Sequence, residues 1–236
     1  MYYHFYARLV RSAKVVCVSV FLRRAPEHRL PASSDDAYTA FLWLRAVARG
    51  ELQEPWLEGC GDFRRVFLVG DRTGIYLVHQ VAAREGAEDV EPVKIAGGVP
   101  IHPGFQRAKP SKSFSELPDN PLLTREMVNK FMSLALPIGS TKDQPITCPV
   151  GPQAPPLESL SLPPMLVVVA EMDLLRDTDL EYCEATKEAG KEVEVLINEG
   201  MDHCFYLNKA AIDSDVETAA QVDKLIEEIV SFINGH

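Results

Sequence analysis

Residues 66–76 read Val66-Phe67-Leu68-Val69-Gly70-Asp71-Arg72-Thr73-Gly74-Ile75-Tyr76. Val66 to Val69 is a short apolar run with the character of a buried strand. After Thr73 the pattern changes to an apolar helical stretch that reaches about Ala83. A strand that passes through Gly-x-x-x-Gly into a helix is the setting in which Gly-x-Ser-x-Gly holds a nucleophilic serine on a sharp turn. The central position here is Arg72. A guanidinium stays protonated and has no lone pair to donate, so Arg72 cannot attack a carbonyl. Taken alone, the same spacing also fits any tight strand-to-helix turn.

Two later segments bear on that choice. Asp173, in Asp173-Leu174-Leu175-Arg176-Asp177, follows the apolar run Val167-Val168-Val169-Ala170. Parallel sheets collect their sites in the loops at the carboxyl ends of strands, and Asp173 falls in such a loop. His203, in Gly200-Met201-Asp202-His203, comes after one more helix and strand, again in a loop. A carboxylate beside a histidine orients the ring and favours its protonated form. The bland readings are a helix N-cap for Asp173 and a solvated loop histidine for His203. Nucleophile, acid and base in that chain order are the arrangement of an α/β-hydrolase. The expected constellation is therefore Asp173 and His203 with Arg72 in the nucleophile position. Thr73 N–H is the expected oxyanion donor.

The rest of the chain fits an alternating pattern. Tyr2, Phe5, Tyr6, Leu9 and Val10 fall at helical spacing. Val15 to Phe21 is a β-branched run that predicts a strand buried on both faces. Asp35 is placed to cap a helix carrying Tyr38, Phe41, Leu42 and Leu44, with Gly50 ending it. Strands are expected at Lys94–Ile101, Met165–Ala170 and Val193–Ile197. Helices are expected at Thr124–Leu136, at Leu175–Ala189 before Gly190, and over Val222–Ile233. Such alternation predicts a mostly parallel sheet flanked by helices on both sides. Twelve of the 17 prolines lie between Pro103 and Pro164. That stretch is too long for an ordinary connection, and it reads as a cap insertion (103–164) within a single domain (1–236).

Composition narrows the function classes. The net charge is −10, and no basic block is present, which argues against nucleic acid and anionic membranes as partners. No run of about 18 apolar residues suggests a membrane span. The first residues lack a signal-peptide pattern. The five cysteines are scattered and never in Cys-x-x-Cys, as in reduced thiols of a cytoplasmic protein, with the nucleus a second location. His28, His79, His4 and His236 read as structural or terminal. No His, Cys, Asp and Glu set has metal-ligand spacing, and no Gly-rich loop matches a phosphate or dinucleotide motif, so neither metal nor cofactor is expected.

Four motifs together resemble the plant carboxylesterases of the hormone-sensitive-lipase type, relatives of the gibberellin receptor and of 2-hydroxyisoflavanone dehydratase. They are Arg24-Ala-Pro-Glu-His-Arg-Leu-Pro-Ala32, Ile101-His-Pro-Gly-Phe105, Asp173-Leu-Leu-Arg-Asp177 and Gly200-Met-Asp-His-Cys-Phe205. The resemblance runs over essentially the whole chain. It departs at the elbow, where the family carries Gly-Asp-Ser-Ala/Thr-Gly-Gly-Asn and this chain carries Arg72, Ile75 and Tyr76. The family's His-Gly-Gly-Gly oxyanion loop would lie just before Met1.

The resemblance implies an α/β-hydrolase fold lacking its N-terminal strands. Val15–Phe21 would be its fourth strand and Val66–Val69 its fifth. These either pair directly or leave a slot of unpaired backbone, which would favour self-association. It also implies a carboxylic ester hydrolase ancestry with impaired catalysis. The alternatives are a non-catalytic binder of a small hormone-like molecule and a lyase or cyclase using His203 as a base. The expected partner is a small ester or hydrophobic ligand.

Overall fold

The computed structural model describes residues 2–72, 74–85, 90–120 and 122–236. Its centre is one sheet of four strands, β1 (Val66–Asp71), β2 (Ile95–Ile101), β3 (Met165–Ala170) and β4 (Val193–Asn198). They lie side by side in chain order, and every neighbouring pair is parallel. β2 and β3 are buried at every position, as expected of inner parallel strands with both faces covered.

Nine helices of the described residues surround the sheet. They are α1 (Tyr2–Ala13), α2 (Ala32–Ala48), α3 (Pro55–Glu58), α4 (Gly74–Glu85), α5 (Lys112–Glu116), α6 (Arg125–Ala135), α7 (Arg176–Glu188), α8 (Lys209–Ser214) and α9 (Val216–Gly235). Successive strand residues point to opposite faces, which sorts the core into two halves. On one face Val99, Ile101, Leu166, Val168 and Leu196 meet Phe5 and Leu9 of α1 and Val222, Leu225 and Ile229 of α9. On the other, Met165, Val167 and Val169 meet Ala82 of α4 and Tyr182 and Cys183 of α7. Tyr38 and Phe41 of α2 pack beyond them with Val81 of α4. The expected sandwich of helices, sheet and helices is present.

Two local expectations are corrected. Val15–Phe21 is not a strand: it has no regular secondary structure, and Phe21 is 89% exposed. A β-branched run fits a pleated, half-buried surface rather than dictating one, and no strand of the described residues pairs with it. β1 pairs with β2 along one side and with no other strand of the described residues, so the two segments do not join directly. Asp35 is not a cap, because α2 begins at Ala32 with Pro31 in the N-cap position, which leaves Asp35 inside the first turn.

The proline-rich stretch follows β2 and precedes β3. It holds α5, α6 and a short 3-10 turn at Leu157–Ser159. Thr124 caps α6, its side chain accepting from Met127 N–H at 3.1 Å. The stretch is tied to the domain through Leu123 and Val128 on Leu175, and through Phe105 on Tyr182.

Candidate functional site

The carboxyl ends of the four strands bring the site together. β1 ends at Asp71 and delivers Arg72; β2 ends at Ile101 and delivers His102; Asp173 follows β3 and His203 follows β4. A parallel sheet places these four loops along one rim because all its strands run the same way.

The turn after β1 is as sharp as the sequence requires. Arg72 has φ 52°, the left-handed region that non-glycine residues rarely enter. Its N–H donates to Ile101 C=O at 3.3 Å. Gly70 is needed for close approach, since a Cβ there would sit 2.4 Å from Gly74 O and 2.9 Å from Val78 Cγ2. Thr73, the expected oxyanion donor, lies outside the described residues, and so do the side chains of Ile75 and Tyr76.

Asp173 and His203 meet as expected. His203 Nδ1 lies 2.5 Å from Asp173 Oδ2, and both side chains are buried. The other carboxylate oxygen accepts from Leu175 N–H at 2.9 Å, which fixes the orientation of the group. Asp173 is not the N-cap of α7, because that helix begins at Arg176 with Leu175 in the cap position; the contact instead fixes the loop just before the helix. Burial works to lower the His203 pKa, but the charge and hydrogen bond of Asp173 outweigh it and raise it to about 10.

Other polar residues at this rim escaped the sequence reading. His102 is fully buried, and its Nδ1 accepts from Cys204 N–H at 2.8 Å. Its Nε2 faces Asn198 Oδ1 at 3.5 Å. Burial, with His203 adding to it, lowers the His102 pKa to about 3, so the ring is neutral. Cys204 follows His203 with φ 58° and has its Sγ 3.9 Å from Tyr206 Oη. Tyr206 donates to Asp71 Oδ2 at 3.0 Å. Burial pushes the Asp71 carboxyl upward against that hydrogen bond. The one signal that could have found His102 is its position directly after a buried strand.

His102, His203 and Cys204 offer donor atoms within 4.8 Å of one another, a cluster that sequence spacing did not reveal. The set is not poised for an ion: His102 Nδ1 is engaged by Cys204 N–H, and His203 would have to give up a proton before it could ligate. The remaining histidines have structural surroundings. His79 is buried with Nδ1 3.0 Å from Tyr182 Oη, His28 is exposed, and His236 lies near Glu192 and Glu194.

Arg72 and His203 open onto a cavity of about 440 Å³. His4, Leu122, Leu207, Lys209 and Ala210 also line it. Leu122 comes from the proline-rich stretch, which therefore reaches the cavity, and His4 comes from α1 rather than being merely terminal. Among the described residues no carboxylate oxygen lies within 4.0 Å of the Arg72 guanidinium; neither Asp173 nor Asp202 pairs with it. Its charge is felt by the Tyr2 hydroxyl and by the Asp71 carboxyl beside it. No helix of the described residues is long and apolar enough to cross a membrane.

Comparison with known proteins agrees with this architecture. Residues 1–207 match the family model described as alpha/beta hydrolase fold. The chain is 32% identical over 229 residues to gibberellin receptor GID1C of Arabidopsis thaliana, covering 97% of this chain and 61% of the receptor. It is 33% identical to tuliposide A-converting enzyme 1, chloroplastic, of Tulipa gesneriana, covering 99% of this chain and 57% of that enzyme. It is 35% identical to 2-hydroxyisoflavanone dehydratase of Glycyrrhiza echinata, covering 97% of this chain and 69% of the dehydratase. The chain spans about three fifths of the length of the first two relatives. Among solved structures, an esterase of Pyrobaculum calidifontis superposes with a TM-score of 0.77 at 25% identity, covering 98% of this chain and 70% of the esterase. Sheet order, rim and matched motifs lead to one conclusion: the chain belongs to the α/β-hydrolase fold family of hormone-sensitive-lipase type, the one that includes the plant carboxylesterases.

Proposed function

We propose that this domain, of carboxylester-hydrolase ancestry, binds a small organic molecule in the cavity over Arg72 and His203 and does not hydrolyse esters. The observation that carries this reading is the residue on the elbow. Arg72 lies in the left-handed turn between β1 and α4, and on this reading it occupies the place of the nucleophile. Covalent ester hydrolysis needs a group whose proton can be removed at neutral pH, and a guanidinium does not supply one. Asp173 and His203 keep the geometry of an acid and base pair, but the pair has nothing to activate. A 440 Å³ cavity falls within the size range of small-molecule sites, which supports a binding role. We also assign residues 103–164 as the cap over this cavity, since Leu122 reaches its wall. The five cysteines are all free, in keeping with a reducing compartment such as the cytoplasm.

A lyase using His203 as its base is the less favoured reading. With Asp173 holding its pKa near 10, the imidazole is a proton donor at neutral pH rather than an acceptor.

Turnover of p-nitrophenyl acetate and p-nitrophenyl butyrate tests the proposal. The expected result is no hydrolysis above the spontaneous rate at pH 7.5. Turnover that His203→Ala abolishes would show a working esterase and overturn it.

A further inference from the structure

We propose that two copies of this chain associate through residues 15–21, which pair antiparallel about a two-fold axis at Val18. The association is independent of the binding role proposed above.

The run Val15-Val16-Cys17-Val18-Ser19-Val20-Phe21 is uncharged and contains neither proline nor glycine. That composition suits a strand. In the single chain the run is bare. All of its residues are exposed, the four valines by 37–48% and Phe21 by 89%. Its ends are nevertheless fixed. Val15 N–H donates to Val10 C=O at 3.4 Å, and Arg23 donates from its backbone and its guanidinium to the Asp36 carboxylate. Between these anchors no backbone group of residues 16–22 hydrogen-bonds to any of the described residues. A segment with free donors and acceptors is a template for another strand. Anchored ends leave it less freedom to lose on pairing.

The pattern of the run points to its own copy as the occupant. A two-fold interface must be self-complementary. With Val18 on the axis, Val16 faces Val20 of the partner subunit and Val18 faces its counterpart, so one side of the ladder is all valine. On the other side Val15 faces Phe21 and Cys17 faces Ser19. Cross-strand pairs of β-branched and aromatic side chains stabilise such a ladder. The flanks agree, since Lys14 would face Leu22 and Arg23 would face Ala13. No cation then stands opposite a cation. The net charge of −10 sets two copies against each other elsewhere, and this uncharged stretch escapes that repulsion. A different partner would not require the run to mirror itself about Val18.

Sedimentation velocity of the unmodified chain from about 1 to about 100 µM tests the proposal. Seven residues a side are fewer than the roughly 20–30 of a standard interface, so a reversible dimer with a micromolar dissociation constant is expected. Val18→Lys puts two like charges on the axis and should weaken the dimer about tenfold or more. Val16→Lys alone and Val20→Asp alone should each weaken it as well. The double variant sets opposite charges across both Val16–Val20 pairs and should recover most of the affinity. These side chains are exposed in the single chain, so circular dichroism should show an unchanged fold. Hydrogen exchange on the unmodified chain needs no variant: amides of residues 16–22 should exchange more slowly at the high concentration than at the low. A chain that stays monomeric at about 100 µM would overturn the proposal, as would a dimer that Val18→Lys leaves intact or equal exchange at both concentrations. A double variant no tighter than either single one would overturn the antiparallel register. Growth beyond the dimer would mark an open-ended edge and overturn the two-fold pairing.

Discussion

Replacing Asp173 with asparagine tests the electrostatic centre of the site. The substitution keeps the shape of the group and the oxygen that accepts from Leu175 N–H, but removes the charge facing His203. The folded His203 pKa is about 10 against an ordinary 6.5, and at about 1.36 kcal/mol per pH unit its protonated form gives the fold a net stabilisation of roughly 4–5 kcal/mol after the opposing cost of burial. That figure lies within the roughly 3–5 kcal/mol typical of breaking a buried pair. Because the folded value is raised, the contribution is complete below pH 6.5 and drains away as pH rises through about 10. Asp173→Asn should therefore cost roughly 4 kcal/mol near pH 6.5 and only about 1 kcal/mol near pH 9. Urea denaturation of both proteins at pH 6.5, 7.5 and 9, with equal m-values, measures this directly. A stability gap that stays constant across the three pH values, or one below about 1 kcal/mol at pH 6.5, would refute the coupling.

Three further outcomes follow from other parts of the structure. Gly70→Ala places a Cβ 2.4 Å from Gly74 O and 2.9 Å from Val78 Cγ2, so thermal unfolding should show a loss of about 1–3 kcal/mol or more; an unchanged Tm would contradict the close approach. Asp179 is fully buried, and burial, reinforced by the Asp173 charge, holds its carboxyl well above the usual range. Its stabilising form is the protonated one and is lost as pH rises, so Asp179→Asn should stabilise the fold at pH 7 and have no stabilising effect near pH 3.5, as read by urea midpoints. Burial lowers the pKa of His79 to about 4 and contributes most to lowering that of His102 to about 3. Their contribution is complete above pH 6.5 and falls as pH drops toward those values, so His79→Phe should flatten the acid limb of the stability profile. An identical acid limb in both proteins would remove His79 from that account.

Where hydrophobic pattern and local chemistry agreed, the fold could be read from the chain. β3 was legible from Val167-Val168-Val169, a β-branched run that here stands between two other strands, and the meeting of Asp173 and His203 was legible because each follows a strand. Val15–Phe21 carried the same composition and misled, because composition does not say whether a partner strand stands alongside. The buried network of His102, Cys204, Tyr206 and Asp71 was invisible for a related reason. Its members are spread from residue 71 to residue 206 and meet only once four strand ends are aligned. His4 likewise reaches the cavity wall through the packing of α1 on α9 and on the turn that carries Tyr206.

The left-handed turn at Arg72 has a consequence for how such a domain can change its work. The unfavourable conformation, worth on the order of 1–2 kcal/mol for any residue with a Cβ, is imposed by Gly70, the strand behind it and the helix ahead, not by what the side chain does. Serine and arginine meet the same backbone penalty there. The elbow is thus an interchangeable mount: a single substitution alters the chemistry presented to the cavity while the scaffold beneath remains indifferent to it. Chemical role and foldability are separable at this one position, and a hydrolase framework can be handed a new task without being rebuilt.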